Sequence, residues 1–337
     1  MRGVGMRAVQ LTGYGGPEKT RIATVEQPSA GDGDLLVRVA AAGLNPLDYK
    51  TRQGKVRAIL RRRPPFVLGN ELSGEVVDAG AGVTGFGEGD RIMARVEKRR
   101  LGAFAEYAAV SATTAAHAPA SLSLVDAAGL PLAGLTALQA LRELGAGPGQ
   151  HILITGGAGG VGTLAIQIAK SLGAEVTTTA SPRGDALVRT LGADHVIDYT
   201  ATDLSRLDRR FDSVFDLVGG STLDASFGLC KSGGTVLTIA GMPDAHTARA
   251  DLDGGLLLQL LFGIAGRRLN RLAARNGVRY RYLFMKPDGA ALAELAVWVD
   301  AGSLKLIVDS RYRLDEFGQA MAHLESGRAK GKVILKM

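Results

Sequence analysis

The chain has 337 residues, 46% of them hydrophobic and 22% charged, with a net charge of +7, a balance that suits a folded protein with two cores. A single cysteine, Cys230, excludes an internal disulfide and a thiolate zinc cluster, each of which needs several, and reads as a small buried apolar side chain. The N-terminal stretch lacks the apolar run of a secretory leader, and the longest apolar cluster, Leu256–Ile264 (LLLQLLFGI), is about half of a membrane span.

The first third holds short alternating segments separated by glycine. Asp34–Gly43 (DLLVRVAAAG), Ser73–Val83, Asp90–Val96 and Gly102–Val110 read as strands ending in turns, which suggests a barrel or sandwich-like domain. From about Ser121 the rhythm changes. Ser123–Leu141 (SLVDAAGLPLAGLTALQAL) reads as a helix, with Ser123 as N-cap and Asp126 as its capping-box partner.

Strands and helices then alternate: strand HILITGG, helix GTLAIQIAKSLG, strand EVTTTAS, helix DALVRTLG, and the strands HVIDY, SVFDLVG and GTVLTIAG. Apolar strands alternating with helices predict a parallel sheet buried on both faces. YRYLFM is a further strand, PDGAALAELAVWVDAG a helix, and the chain closes on the strand GKVILKM. Leu256–Ile264 reads as a helix that covers a cleft or a subunit interface rather than as a membrane anchor. The basic clusters Arg61–Arg63, Lys98–Arg100 and Arg267–Arg268 come without an aromatic-rich RNA motif. Solvated surface and the steering of an anionic cofactor account for them, so nucleic acid is not expected as a partner. A cytoplasmic protein without a membrane partner is the expectation.

Gly157, Gly159 and Gly162 fit G-x-G-x-x-G, with Gly160 and Val161 inside the motif. The context carries more weight than the pattern, because the motif follows the apolar strand Ile152–Ile154 and opens a helix inside a βαβ unit. Gly157 would permit a tight turn, Gly159 would let the backbone approach a pyrophosphate, and Gly162 would allow close packing of helix on strand. The helix N-terminus offers free N–H groups to the phosphates. The second strand runs into Ala180-Ser181-Pro182-Arg183-Gly184 with no carboxylate at its end. A hydroxyl at Ser181 and a guanidinium at Arg183 suit a 2′-phosphate, so NADPH is expected rather than NADH.

These features together resemble the medium-chain dehydrogenase/reductase superfamily over nearly the whole chain. The matches are AGLNPLDYKTRQG (Ala42–Gly54), PFVLGNELSGEV (Pro65–Val76), GEGDRI, GAFAEY and LGADHVIDY (Leu191–Tyr199). The resemblance implies an α/β architecture: a GroES-like β-rich domain over 1–120, completed by 308–337, and a Rossmann doubly wound parallel sheet over 121–307. It places an active site in the cleft between them and implies a homodimer.

Alcohol dehydrogenases of that superfamily hold zinc through a Cys and a Gly-His-Glu segment. This chain has Asn45 and Asn70 where those ligands would stand, and no four-cysteine lobe. That points to the zinc-free quinone oxidoreductases and alkenal/one reductases, in which a hydride passes from NADPH to an enone, alkenal or quinone. By the same resemblance Asn45 contacts the nicotinamide ribose or the substrate carbonyl, and Thr136 approaches the nicotinamide. Tyr199 joins Ser181 and Arg183 around the 2′-phosphate. Val218, Ala240 and Gly241, in SVFDLVG and GTVLTIAG, are placed with the cofactor as well. Tyr49 and Lys50, on what reads as a loop, are with Asn45 the candidates to stabilise a forming enolate. A zinc-free alcohol dehydrogenase and a non-catalytic, crystallin-like NADPH binder remain as alternatives.

Overall fold

A computed structural model describes residues 4–60, 62–98, 100–208, 210–252 and 254–337, so Arg61 and Arg99 of the basic clusters lie outside the described residues. From the N-terminus come β1 (Gly5–Leu11), β2 (Thr20–Glu26), β3 (Asp34–Leu44), α1 (Pro46–Arg52), α2 (Arg57–Leu60), β4 (Phe66–Val67), β5 (Glu71–Ala79), β6 (Arg91–Arg95), β7 (Tyr107–Ser111) and β8 (Ala115–His117). Then α3 (Leu124–Ala127) and α4 (Pro131–Glu143) lead into β9 (His151–Ile154), α5 (Gly160–Ser171), β10 (Glu175–Ala180), α6 (Pro182–Thr190), β11 (His195–Asp198) and β12 (Phe211–Asp216). They are followed by α7 (Gly220–Leu229), β13 (Cys230–Thr238), α8 (Ala245–Ala250), α9 (Leu256–Arg275) and β14 (Arg279–Tyr282). The last elements are α10 (Gly289–Asp300), β15 (Val308–Arg313), α11 (Phe317–Glu325) and β16 (Lys332–Lys336).

The chain divides into two compact units, residues 1–135 with 287–337, and residues 136–286. These bounds put α3 and α10 with the first unit.

In the first unit the main sheet runs β15-β16-β3-β5-β6-β8, and β7 also pairs with β3. Two strands share one edge of β3 because its 11 residues are long enough for both. Asp34–Arg38 pair with β7, and Ala41–Leu44 pair with β16. Leu35, Val37 and Val39 of β3 are buried with Leu72 and Val76 of β5, and Phe104 meets Phe317 at 5.6 Å between ring centroids. The four expected strands of the first third are found as β3, β5, β6 and β7, although β1, β2, β4 and β8 were not read from the sequence.

Two expectations are corrected here. The helix expected over 123–141 is broken into α3 and α4, because Gly129 and Pro131 interrupt the backbone ladder. Ser123 does cap, accepting from the Asp126 N–H at 3.1 Å, but the Asp126 carboxylate binds Arg311 at 2.7 Å instead of completing a box. The segment after Asn45 is a helix, not a loop. Asn45 is extended at the cap position, Pro46 supplies a ready φ at the first turn, and the Asp48 carboxylate accepts from the Asn45 N–H at 2.7 Å.

The second unit is built on one parallel sheet, β11-β10-β9-β12-β13-β14. Numbered within the unit this is 3-2-1-4-5-6, the doubly wound order with a switch point beside its first strand. Leu153, Val214, Val236 and Phe211 are fully buried, as expected for strands covered on both faces. Cys230 is buried here too, its thiol packed among the same apolar side chains.

Candidate functional site

The glycine motif forms the strand-to-helix turn between β9 and α5. Gly156, not Gly157, takes the left-handed conformation of the turn, with φ at +71°. Gly157 is small for another reason: a Cβ there would meet the Thr178 side chain, its own Cβ 3.0 Å away. Gly162 has no room for a side chain, since a Cβ would sit 2.7 Å from the Gly157 Cα and against the Gly156 carbonyl. Gly159 is the N-cap of α5, and a Cβ there would meet only the Gly156 carbonyl at 3.4 Å. With Gly160 and Val161 opening the helix, the turn presents a backbone surface and a 12-residue helix N-terminus, the requirement for a pyrophosphate.

The carboxyl ends of the central strands are tied together by a network that sequence reasoning missed. Thr155 donates to Asp216 at 2.9 Å and Thr238 donates to it at 2.6 Å. Asp216 also accepts the Gly219 N–H at 3.0 Å, and Thr155 Oγ1 accepts the Leu217 N–H at 3.0 Å. All three side chains are fully buried. This fixes the loop carrying Val218, which is 54% exposed, next to Ala240 and Gly241. Thr136 is buried on α4.

At the end of β10, Ser181 is the N-cap of α6 and Arg183 stands exposed in that helix's first turn. Tyr199 follows the end of β11 and is 55% exposed. Ala180, Ser181, Pro182, Asp185 and Asp198 line a depression of about 350 Å³. The two carboxylates alter the expected picture. Asp198 is the register partner of Ala180 on the neighbouring strand, so an acidic group reaches the strand end from the side. Thr200 donates to it at 2.7 Å, and Arg189 pairs with Asp185 at 2.9 Å.

In the first unit, Asn45, Asn70, Glu71 and Lys332 come together in the core. The Lys332 ammonium donates to Glu71 at 2.7 Å, to the Asn45 side-chain carbonyl at 2.6 Å and to the Leu44 carbonyl at 3.1 Å. The Asn45 amide nitrogen donates to Glu71 at 2.6 Å and to the Gly43 carbonyl at 3.2 Å. The other Glu71 oxygen accepts the Leu132 N–H at 2.6 Å, while Asn70 donates to Asp48 at 2.7 Å. Asn45 is only 3% exposed and both its amide protons are used inside the protein, so the expected contact with ribose or substrate falls at most to its carbonyl oxygen. Burial raises the Asp48 carboxyl to about 7 against the hydrogen bonds of Asn70 and Asn45, with the negative Glu71 raising it further. Arg95, also fully buried, donates to the Asn70 carbonyl at 2.8 Å, and burial lowers its guanidinium to about 10.

Tyr49 and Lys50 lie half-buried one turn into α1, and neither side chain has a hydrogen-bond partner among the described residues. Burial, then the charge of Glu325, raises the Tyr49 phenol. Burial, then the charge of Lys55, lowers the Lys50 ammonium.

Zinc does not fit this donor set. It favours thiolate, imidazole and carboxylate, whereas Asn45 and Asn70 offer amides, Glu71 already carries the Lys332 ammonium, and Asp48 is taken up by the Asn45 N–H and the Asn70 amide. Among the described residues no group of three or more His, Cys, Asp or Glu is placed to hold a metal ion.

A doubly wound sheet with a glycine-rich phosphate turn, joined to a β-rich unit, defines a nicotinamide-dependent oxidoreductase. Residues 31–120 match the alcohol dehydrogenase GroES-like domain, and residues 191–335 match the family described as zinc-binding dehydrogenase. The mitochondrial NAD(P)H oxidoreductase RTN4IP1 of Danio rerio is 35% identical over 327 residues, covering 90% of this chain and 84% of the relative. The chloroplastic NADPH-dependent alkenal/one oxidoreductase of Arabidopsis thaliana is 32% identical over 341 residues, covering 98% of this chain and 79% of the relative. Among solved structures, the quinone oxidoreductase from Coxiella burnetii matches with a TM-score of 0.87 at 33% identity, over 99% of this chain and 100% of that one. The chain belongs to the medium-chain dehydrogenase/reductase superfamily, in its zinc-independent quinone oxidoreductase and enone reductase branch.

Proposed function

We propose that the protein is an NADPH-dependent, zinc-independent reductase of α,β-unsaturated carbonyls or quinones. The observation that carries this reading is the buried Lys332–Glu71–Asn45 cluster, in which an internal ammonium fills the valence that a metal would need. Without a Lewis acid, oxidation of an alcohol would require the protein to stabilise a localised alkoxide, whereas an enone spreads its charge over three atoms and a few donors suffice.

When bound, the nicotinamide supplies the hydride that reaches the β-carbon of the acceptor. The chain's own part is to hold the dinucleotide and to meet the charge that develops. The α5 N-terminus and the backbone of Gly159 to Gly162 would bind the pyrophosphate, and Ser181 and Arg183 the 2′-phosphate. Arg189 and Thr200 reduce the opposition of Asp185 and Asp198 there by engaging their carboxylates. Tyr49 and Lys50 carry the uncommitted donors nearest the Asn45 cap. Their burial shifts them in opposite directions, so the phenol stays protonated while the ammonium releases its proton more readily, which favours Lys50 as proton source. The names of the relatives, an alkenal/one oxidoreductase and a quinone oxidoreductase, agree with this reading.

The test is NADPH oxidation by purified protein across alkenals, cyclic enones and quinones, with secondary alcohols and NADP as the opposing arm. Turnover confined to the first set supports the proposal, and turnover confined to the alcohols overturns it.

A further inference from the structure

Helix α9 spans 20 residues with four arginines and no acidic residue. Leu256, Leu257, Leu260, Leu261 and Ile264 are 84, 71, 60, 53 and 52% exposed. Arg267, Arg268, Arg271 and Arg275 are exposed as well. At 3.6 residues per turn these nine side chains fall within an arc of roughly 140°. Gly266, Leu269 and Ala273, which are buried, point the opposite way into the unit. The open face is therefore divided along its length, with large apolar side chains on the first turns and guanidinium groups on the last. Arg268 is held by Asp224 at 2.7 Å, and no ion-pair partner of Arg267, Arg271 or Arg275 is found among the described residues.

Such a face needs an occupant that is apolar and anionic at once. A second copy of the helix does not supply one. In an antiparallel two-fold pair the leucines of one helix lie on the arginines of the other. In a parallel pair arginine meets arginine, with no acid on either helix. The surface of an anionic bilayer satisfies both ends together, because leucines enter the boundary of headgroups and acyl chains while arginines stay at the phosphates.

We propose that α9 docks the protein, lying in plane, on an anionic lipid surface. No helix among the described residues is long and apolar enough to cross a membrane, so this contact is peripheral. It is independent of the reductase reading.

Co-sedimentation of the full chain tests it, using vesicles of phosphatidylcholine alone and of equimolar phosphatidylcholine and phosphatidylglycerol. Binding to the anionic vesicles alone, weakened by salt, is expected. Leu257→Glu with Leu261→Glu should weaken it about tenfold or more, as should Arg267→Glu with Arg271→Glu. Both variants should fold and oxidise NADPH as the wild type does, since all four side chains face solvent. Equal binding to both vesicle types, no binding to either, or retained binding by both variants would overturn the proposal. So would a wild-type dimer that the leucine variant converts to monomer without change in vesicle binding, which would assign the face to a second copy.

Discussion

Lys332→Met removes the ammonium while keeping most of the side chain's length, and it strands the Glu71 carboxylate in the core. Lys332 and Glu71 have side chains 3% and 0% exposed and lie 2.7 Å apart. At an effective dielectric constant of about 20 the attraction across that distance is about 6 kcal/mol. Desolvation of both groups cancels much of it, and removing one partner of such a pair costs roughly 3–5 kcal/mol. The remaining donors to Glu71, the Asn45 amide and the Leu132 N–H, are neutral and do not replace a charge. At about 2–4 °C per kcal/mol for a protein of this size, the melting temperature should fall by roughly 6–20 °C. The assay is a double-mutant cycle by urea unfolding with Glu71→Gln. Removing the second charge should recover most of the loss, with a coupling energy of about 2 kcal/mol or more. A cost below about 1 kcal/mol for Lys332→Met, or a coupling near zero, would refute the idea that the pair holds the first unit's polar core together.

Arg183→Ala should weaken NADPH about tenfold to a hundredfold in a fluorescence titration and leave NADH nearly unchanged, since one charge-assisted bond contributes roughly 1.5–3 kcal/mol. Gly162→Ala should abolish binding of either cofactor by tryptophan or nucleotide fluorescence, because its Cβ would sit 2.7 Å from the Gly157 Cα. Asp48 titrates near 7 in the folded state against 3.8 when free, so its contribution to stability is complete below the free value and is lost as pH rises through about 7. Asp48→Asn should therefore flatten the fall in melting temperature between about pH 4 and pH 8. Prolonged treatment with a zinc chelator should leave NADPH oxidation unchanged, as the donor set around Glu71 predicts; activity lost on chelation and restored by zinc would contradict that reading.

The parallel sheet and its phosphate turn were legible because their signals are local. An apolar strand, glycines at fixed spacing and a helix follow one another without interruption, and the backbone constraint is written in the residue type. Even there the reading was off by one position, as Gly156 takes the turn and Gly157 yields space to Thr178. Asp198 was missed at the end of β10 because it arrives from the adjacent strand, a neighbour only through the register Ala180–Asp198. The helix α1 carries a local signal, Asn-Pro-Leu-Asp, a cap followed by a proline at the first turn, which outweighs the loop that the Asn-Pro pair alone suggests. The run from Leu256 to Ile264, too short for a membrane span, reads from the sequence as a helix over a cleft or a subunit interface. The four arginines that follow on the same face change the question from crossing to lying in plane.

Lys332 had no readable signal at all, since it stands 261 positions from its partner Glu71 and in a strand whose neighbours are apolar. Its position explains why the C-terminal strand belongs to the first unit's chemistry as well as to its sheet. An ammonium has three protons, and here Leu44, Asn45 and Glu71 accept all of them. Those acceptors sit at the end of β3, at the cap of α1 and at the start of β5. A metal ion at the same place would keep an open position for a substrate oxygen. The ammonium keeps none. It fixes where α1 begins, and with it the direction in which Tyr49 and Lys50 leave the backbone one turn later. The positive charge in this core thus acts on geometry, and under the proposed reductase reading the charge that develops on a substrate would fall to the donors of α1, Tyr49 and Lys50.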